Sequence, residues 1–547
     1  MSSAPRPTPS RVPRLPLAGV LRLGRPSDIW FKPALSVVVA VAPPNLTLLA
    51  LGRLDLAMYT MAGSLCALYA HNRPYAARAR VLAWVVLGML GGLGVALVTA
   101  SLTTNAVVLV TVGALLAAAQ KTLCDATRVG PPGHVVLAFI SSASLFVPQH
   151  LGQVPGHLAL GAAAGVWAWI VGMAPGLVRP HGPERRATAH ALNAAAVYAR
   201  NPGDARARAA GAAAVHAAWQ SLLSTGARSA PRRALERLVV RAEVALAAPA
   251  DTDAERLRGL ARDLSGTGPV PRTDGLGDAA DELLGVEAAF AFGERPLRDR
   301  LGPLAPIALR TAVGCALAGY ASLALGVGRP YWALVTAASL YQANVTLTWS
   351  RGVQRVVGNL VGVLAFAALL PLAHVGRAAL VLCCLALNFG AEAVIGRNYW
   401  LGSVCVTPMA LLITEFARAQ QPAELMTDRV VDTLVGALVG LVAAIAVTNR
   451  RAGDRIEDAL SAVERAREHA DGLVTAERPG PGALESARRG LAAAVVDLRA
   501  AADAAAGEWW QRALPEERVM RAEQAGHRTL AATVRRQGLH GRGGAQA

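Results

Sequence analysis

Arginine and aromatic side chains recur in this sequence in two matched sets. Gly328-Arg329-Pro330-Tyr331-Trp332 is followed by Arg355-Val356-Val357-Gly358-Asn359-Leu360-Val361-Gly362. Gly396-Arg397-Asn398-Tyr399-Trp400 is followed by Arg429-Val430-Val431-Asp432-Thr433-Leu434-Val435-Gly436. Each copy reads GRxYW and then RVVxxLVG; the first motifs are 68 residues apart and the second 74. A guanidinium grips a carboxylate bidentately and stacks on aromatic faces. Arg329, Tyr331, Trp332, Arg355, Asn359, Arg397, Tyr399 and Arg429 are therefore candidates for attracting an organic anion and handing it over. The alternative for any single arginine is a side chain that snorkels to the headgroups from a span end. Duplication at matched positions weighs against that alternative for the set.

Two acids stand among these residues as candidates for proton coupling. Glu392 is the most membrane-embedded acid, with Asn388 four residues earlier on the same helix face. A charge at the bilayer centre costs on the order of 3 kcal/mol by insertion scales, so an ionisable group there is a functional candidate. The competing readings are an ion pair with Arg397 or Arg355 and a carboxylate that snorkels to the headgroups. Asp432 is the mirror case and is expected to pair with Arg429. Thr336, Gln342 and Asn344, with Tyr341, could extend a polar pathway for an aromatic acid or serve as interhelical hydrogen bonds. The motif glycines are expected to let helices pack closely.

Other chemistries are a poor fit. A P-loop needs Lys after Gly, and the two lysines, Lys32 and Lys121, follow Phe31 and Gln120. No Ser/His/Asp or HExxH arrangement marks an enzyme, and the six cysteines lack CxxC spacing. No cofactor, metal or ATP is expected.

The elements that must position the candidates are membrane helices. With 53% hydrophobic and 17% charged residues over 547 positions and a mean hydropathy of +0.37, the chain is an all-α polytopic membrane protein. Apolar runs fall near 33–51, 54–70, 81–100, 104–120, 134–147 and 157–178. A second set falls near 303–326, 330–345, 353–372, 377–395, 399–414 and 429–449. Several are shorter than the roughly 20 residues that cross a bilayer upright, the fifth being the weakest. The organisation expected is a basic, disordered cytoplasmic tail (1–32), a first six-span block (33–178), a helical cytoplasmic domain (179–302), a second six-span block (303–449) and a C-terminal cytoplasmic helical region (450–547).

The net charge of +17 sits at span flanks and on Ala-rich helices interleaved with acids, without a nucleic-acid recognition motif. Arginine bias in the loops places both termini inside, with Arg329 and Arg429 at the outer face and Arg355 and Arg397 at the inner face. Each three-span unit of the second block re-enters from the opposite side, so its two copies are inverted. A weaker similarity, Tyr59 and Tyr69 with Tyr331 and Tyr341, relates the two blocks. In the polar segments, stripes at Val215, Trp219 and Leu222, at Leu235, Val239, Ala242 and Leu246, and at Leu484, Leu491, Val495 and Leu498 read as a domain core or, alternatively, a platform for a partner.

Arg329 to Thr336 and Gln354 to Gly362 resemble the signature of the fusaric acid resistance and aromatic acid exporter family, and Asp428 to Gly436 resembles that family's closing span. The likeness in organisation covers nearly the whole chain. It implies an inner-membrane, multi-pass secondary efflux transporter for aromatic or other organic acids, driven by the proton gradient. Related plant malate channels make an anion channel the neighbouring reading. A non-transporting scaffold or regulator is the alternative from a different class. The partners implied are a small organic anion and the lipid bilayer, with a homo-oligomer or a periplasmic adaptor open.

Overall fold

A chain in hydrocarbon must satisfy its backbone groups internally, and this one does so with helices. The computed structural model describes residues 17, 19–24, 26, 29–224, 229–247, 249–266, 268–271, 300–342, 344–416, 421–447, 452–477, 482–506 and 515–543, which contain no strand. The first half holds α1 (Phe31–Ala50), α2 (Ala57–Ser64), α3 (Tyr75–Leu102), α4 (Ala106–Thr127), α5 (Val135–Leu145) and α6 (Val154–Met173). Four polar helices follow: α7 (Gly182–Arg200), α8 (Ala205–Leu223), α9 (Ala230–Ala247) and α10 (Ala254–Ser265). The second half holds α11 (Ala305–Ala324), α12 (Tyr331–Leu340), α13 (Val345–Ala373), α14 (Arg377–Ile395), α15 (Tyr399–Thr414) and α16 (Pro422–Ala446). Polar α17 (Ala452–Thr475), α18 (Ala483–Ala506) and α19 (Glu516–Gly543) close the chain.

All twelve expected apolar runs are helical, but among the described residues only eight helices are long and apolar enough to cross a membrane. The four short ones, Leu54–Leu68, Val135–Leu145, Tyr331–Leu340 and Tyr399–Thr414, are the second and fifth of each half. The order long, short, long is thus repeated four times, which supports a three-helix unit at every level of the duplication. A ten-residue helix such as α12 is about 15 Å long, half the hydrocarbon thickness. All ten of its residues are buried, and the chain leaves it through extended backbone at Tyr341. Irregular backbone at this depth is tolerated only where protein or a cavity surrounds it.

The two copies in the second half interlock. α13, which carries the first RVVxxLVG motif, packs on α15 of the other copy, and α16 packs on α12. The motif glycines set these crossings as expected. A Cβ added at Gly362 would stand 2.7 Å from Thr407 Cβ and 3.1 Å from the Val404 carbonyl, and one at Gly436 would stand 2.8 Å from Thr336 Cβ. Between halves, α1 packs on α14 and α11 on α4, so the first helix of each half meets the fourth of the other.

Several boundaries differ from the apolar runs. α13 begins at Val345 rather than 353 and α16 at Pro422 rather than 429, because polar turns continue each helix beyond its hydrophobic stretch. Part of the expected outer loop from Glu415 to Asp428 is therefore helix. Asparagines start the helices: Asn105 Oδ1 accepts from Val107 N at 2.9 Å, and Asn344 Oδ1 from Leu347 N at 2.8 Å, as N-caps do. Of the segment expected as a disordered tail, residues 1–16, 18, 25, 27 and 28 lie outside the described residues, whereas Gly24 N–H donates to the Arg397 carbonyl at 2.8 Å.

The polar helices pack into two cores that meet. Val215, Trp219, Leu222, Leu235, Val239 and Ala242 are buried in one, with Leu246 against it, and Leu491, Val495 and Leu498 in the other. Leu484 is buried as well. Arg488 joins them, 2.7 Å from Glu243 and 2.5 Å from Glu485, while Arg489 stacks over Trp219 at 4.6 Å.

The crossing of α13 over α15 should tolerate no added volume. Gly362→Ala is expected to cost about 1–3 kcal/mol by overpacking, read as a lower thermal midpoint in detergent. Gly91→Ala, where a Cβ meets nothing within 4 Å, should cause no such loss.

Candidate functional site

The interlocked helices bring the arginines together rather than holding them apart. Arg355 lies in the third turn of α13, and its Nη1 donates to the Tyr399 hydroxyl at 3.1 Å. One turn later Asn359 Nδ2 donates to the Arg355 carbonyl at 2.9 Å, which leaves the amide oxygen facing across the helix interface. That oxygen accepts from Thr407 Oγ1 at 2.7 Å and from Arg429 Nε at 3.1 Å. One buried amide thus links α13, α15 and α16. The corresponding residue of the second copy, Thr433, also donates to the carbonyl of its motif arginine, at 2.7 Å. Its side chain ends there, so the network is built around the asparagine alone.

Trp332 packs beside this network. It is fully buried, with the Arg329 and Arg429 guanidinium carbons 5.2 and 5.1 Å from its ring centre, within cation–π range. Tyr331 beside it packs on Phe146 from the first half, ring centres 5.7 Å apart. Arg351 lies 3.9 Å from the centre of the Tyr399 ring. Each copy's arginine therefore meets the other copy's aromatic residues: Arg355 meets Tyr399, and Arg429 meets Trp332.

Arg355 and Arg429 are 5% and 1% exposed. No described carboxylate pairs with either, and Arg355 Nε and Arg429 Nη1 have no hydrogen-bond partner. Both line a cavity of about 1610 Å³ between the halves, together with Arg329, Tyr331, Arg351 and Tyr399. Eight arginines and lysines line it against the three acids Asp55, Asp125 and Glu392.

The structure corrects three expectations. Arg355 and Arg397 do not form a pair at one mouth opposite Arg329 and Arg429. Arg355 and Arg429 share Asn359 in the interior, because both helices begin well before the apolar runs, while Arg397 is exposed at the cavity's edge. Asp432 does not pair with Arg429; its Oδ1 accepts from Ser322 Oγ at 2.5 Å, since the helical turn points the carboxylate at α11. Asn359, Trp332 and Asp432 stand behind the cavity wall, as do Thr336, packed against Gly436, and Asn344, occupied as a cap. Gln342 and Tyr341 do line the cavity. Glu392 and Asn388 line it too, and Glu392 has no ion pair with Arg397 or Arg355. Sequence reasoning passed over Arg351, Thr407 and Ser322. Thr407 carried a signal, since it stands 68 residues after Ser339 as Tyr399 stands after Tyr331.

Removing the shared acceptor should cost stability directly. Asn359→Leu leaves the Arg429 Nε and the Thr407 hydroxyl without their partner and is expected to destabilise by about 1–3 kcal/mol. Thr407→Val, which removes one donor and leaves Arg429 bonded, should cost about 1 kcal/mol. Thermal midpoints of the two variants in one detergent check the order.

Residues 316–443 match the model of a family described as fusaric acid resistance protein-like. The match runs from α11 to α16 and contains every site residue from Arg329 to Asp432. The uncharacterized membrane protein YvaC of Bacillus subtilis (strain 168) is 27% identical over 463 residues, 76% of this chain and 72% of that protein. No solved structure gives a significant match. With eight membrane-length helices, the chain is an integral membrane protein, and across the interlocked repeats, residues 316–443, it is similar to the fusaric acid resistance protein-like family.

Proposed function

We propose that this protein is a secondary-active exporter of aromatic or other organic acid anions across the inner membrane, coupled to protons. The reading takes the chain as two six-helix transmembrane blocks with both termini and the polar domain on the cytoplasmic side. The observation that carries it is the pair Arg355 and Arg429: two buried guanidiniums from opposite copies of one repeat, without a carboxylate partner, facing one cavity.

A buried charge without a counter-charge is costly, and a carboxylate substrate supplies the missing partner. The donors are already desolvated and fixed by Tyr399 and Asn359, so little ordering is spent on binding. The aromatic walls at Tyr331 and Tyr399 suit a flat, apolar ring attached to that carboxylate. Arg397 and Arg329 then attract the anion nearer the cavity ends. Inverted copies that meet at the site offer two packings, each opening it to one face. Glu392, on the cavity wall without a partner, is the group that takes up and releases the proton.

Flux of benzoate in proteoliposomes under an imposed pH gradient tests this reading. Arg355→Gln or Arg429→Gln should each lower transport about 10–100-fold, the worth of one charge-assisted hydrogen bond of about 1.5–3 kcal/mol. Glu392→Gln should abolish gradient-driven accumulation and leave downhill exchange. Wild-type flux indifferent to the gradient would instead establish a channel, and no flux of any carboxylate would establish a scaffold.

A further inference from the structure

Away from the cavity, four cations gather at one end of the first half. Lys32 lies in the first turn of α1 and Arg78 in the first turn of α3. Arg179 directly follows the membrane-length segment that ends at Val178, and Arg186 lies in the second turn of α7. Arg186, Arg179 and Arg78 all repel the Lys32 ammonium, and Tyr75 at the start of α3 lies in the field of the same three arginines. None of the four cations lines the cavity.

The cluster lacks negative charge. Among the described residues the acid whose charge reaches it is Glu184, beside Arg186; Asp28 lies outside the described residues. No ion pair to Lys32, Arg78, Arg179 or Arg186 exists among the described residues. Buried arginines elsewhere are satisfied: Arg232 pairs with Glu236 at 2.8 Å, and Arg310 gives Nε and Nη2 to the Val447 carbonyl at 2.9 and 2.7 Å. Cations at helix N-termini also add to the dipole instead of offsetting it, and neither α1 nor α3 has an acid in its first turn.

Arg78 forms the floor of the cluster. It is 4% exposed and lies against Gly172 of α6, where an added Cβ would stand 3.5 Å from Nη2. Nη2 donates to His71 Nδ1 at 3.2 Å, and Nε has no partner. Burial and the charges of Arg78, Arg186 and Lys32 push His71 down to about 3, so its ring stays neutral and accepts that bond. Loop charge bias alone would orient the chain with exposed arginines; it does not require a buried one. Above the floor Arg179 is exposed and Lys32 and Arg186 are partly exposed. Leu177 and Val178 beside Arg179, and Leu35 beside Lys32, are exposed on helices of membrane-spanning length.

We infer that Lys32, Arg78, Arg179 and Arg186 form a binding site for the phosphate of an anionic phospholipid, whose acyl chains lie on the exposed apolar residues beside it. Guanidiniums grip phosphate oxygens bidentately and the lysine adds a point charge; basic pockets between membrane helices hold such headgroups. Free phosphate shares this chemistry but makes no use of the apolar border. The inference concerns binding outside the cavity and does not rest on the transport reading.

Native mass spectrometry of the full-length protein in detergent, titrated with short-chain phosphatidylglycerol, phosphatidylcholine or inorganic phosphate, tests it. Phosphatidylglycerol should bind about tenfold or more tighter than phosphatidylcholine, and inorganic phosphate should not bind. Lys32→Gln with Arg179→Gln should weaken phosphatidylglycerol about 100-fold, two charge-assisted bonds at about tenfold each. Arg80→Gln, which removes an exposed charge outside the cluster, should change it less than about twofold. Unchanged affinity in the double variant, or an equal loss in Arg80→Gln, overturns the site, because the charge of the whole face would then be responsible. Saturation by inorganic phosphate at the same concentrations overturns the lipid as its source. Should the double variant fail to fold, Arg179→Gln alone decides, since that residue is exposed and unpaired: about tenfold weakening is expected, and unchanged affinity overturns the site equally. Lys32→Arg with Arg179→Lys keeps both charges and should bind as wild type does; a loss there as large as in the glutamine pair overturns the charge-based assignment.

Discussion

A ten-residue helix inside a bilayer ends where no water can receive its last carbonyls, and the second membrane block is arranged around that constraint. α12 is buried at every position, enclosed by α16, α11 and α13 and by α4 and α5 from the first half. The enclosure requires close approach, which the motif glycines permit. The short helices in turn line the cavity along their length, α12 with Tyr331, Val335 and Ser339 and α15 with Tyr399, Val406 and Ala410. Half-length helices, glycine crossings and an internal cavity are three aspects of one solution to the same hydrogen-bonding problem.

Interlocking turns a linear duplication into a two-sided site. Because each motif helix crosses the short helix of the other copy, Arg355 reaches Tyr399 and Arg429 reaches Trp332. The copies are not equal at the centre. Asn359 has an amide oxygen beyond the group that bonds its own helix, and Thr433 does not, so only Asn359 reaches across to the other copy's arginine. An asymmetric centre between symmetric arms brings both guanidiniums to one cavity.

Much of this was legible in the residues. Twelve apolar runs marked twelve helices, and the repeat marked the arginines and aromatics that gather at the cavity. The positions of the arginines along the membrane were misread for a definite reason. Hydropathy locates where a helix meets lipid, whereas α13 and α16 continue for two turns through polar residues that protein shields. Arg355 and Arg429 thus looked like span ends and lie inside. Asp432 was assigned to Arg429 from sequence proximity alone, and the helical turn sends it to Ser322 instead.

The amino-acid sequence by itself determined the class, the helices and the inventory of the site, because burial of apolar surface and local capping act on neighbours along the chain. Tertiary structure alone decided which arginines meet, which amide they share, and that a turn at Val20 is fastened to Asn398. Those contacts join residues 70 to 378 positions apart. No local propensity encodes them; they follow from how the glycine-lined crossings stack the short helices inside the long ones.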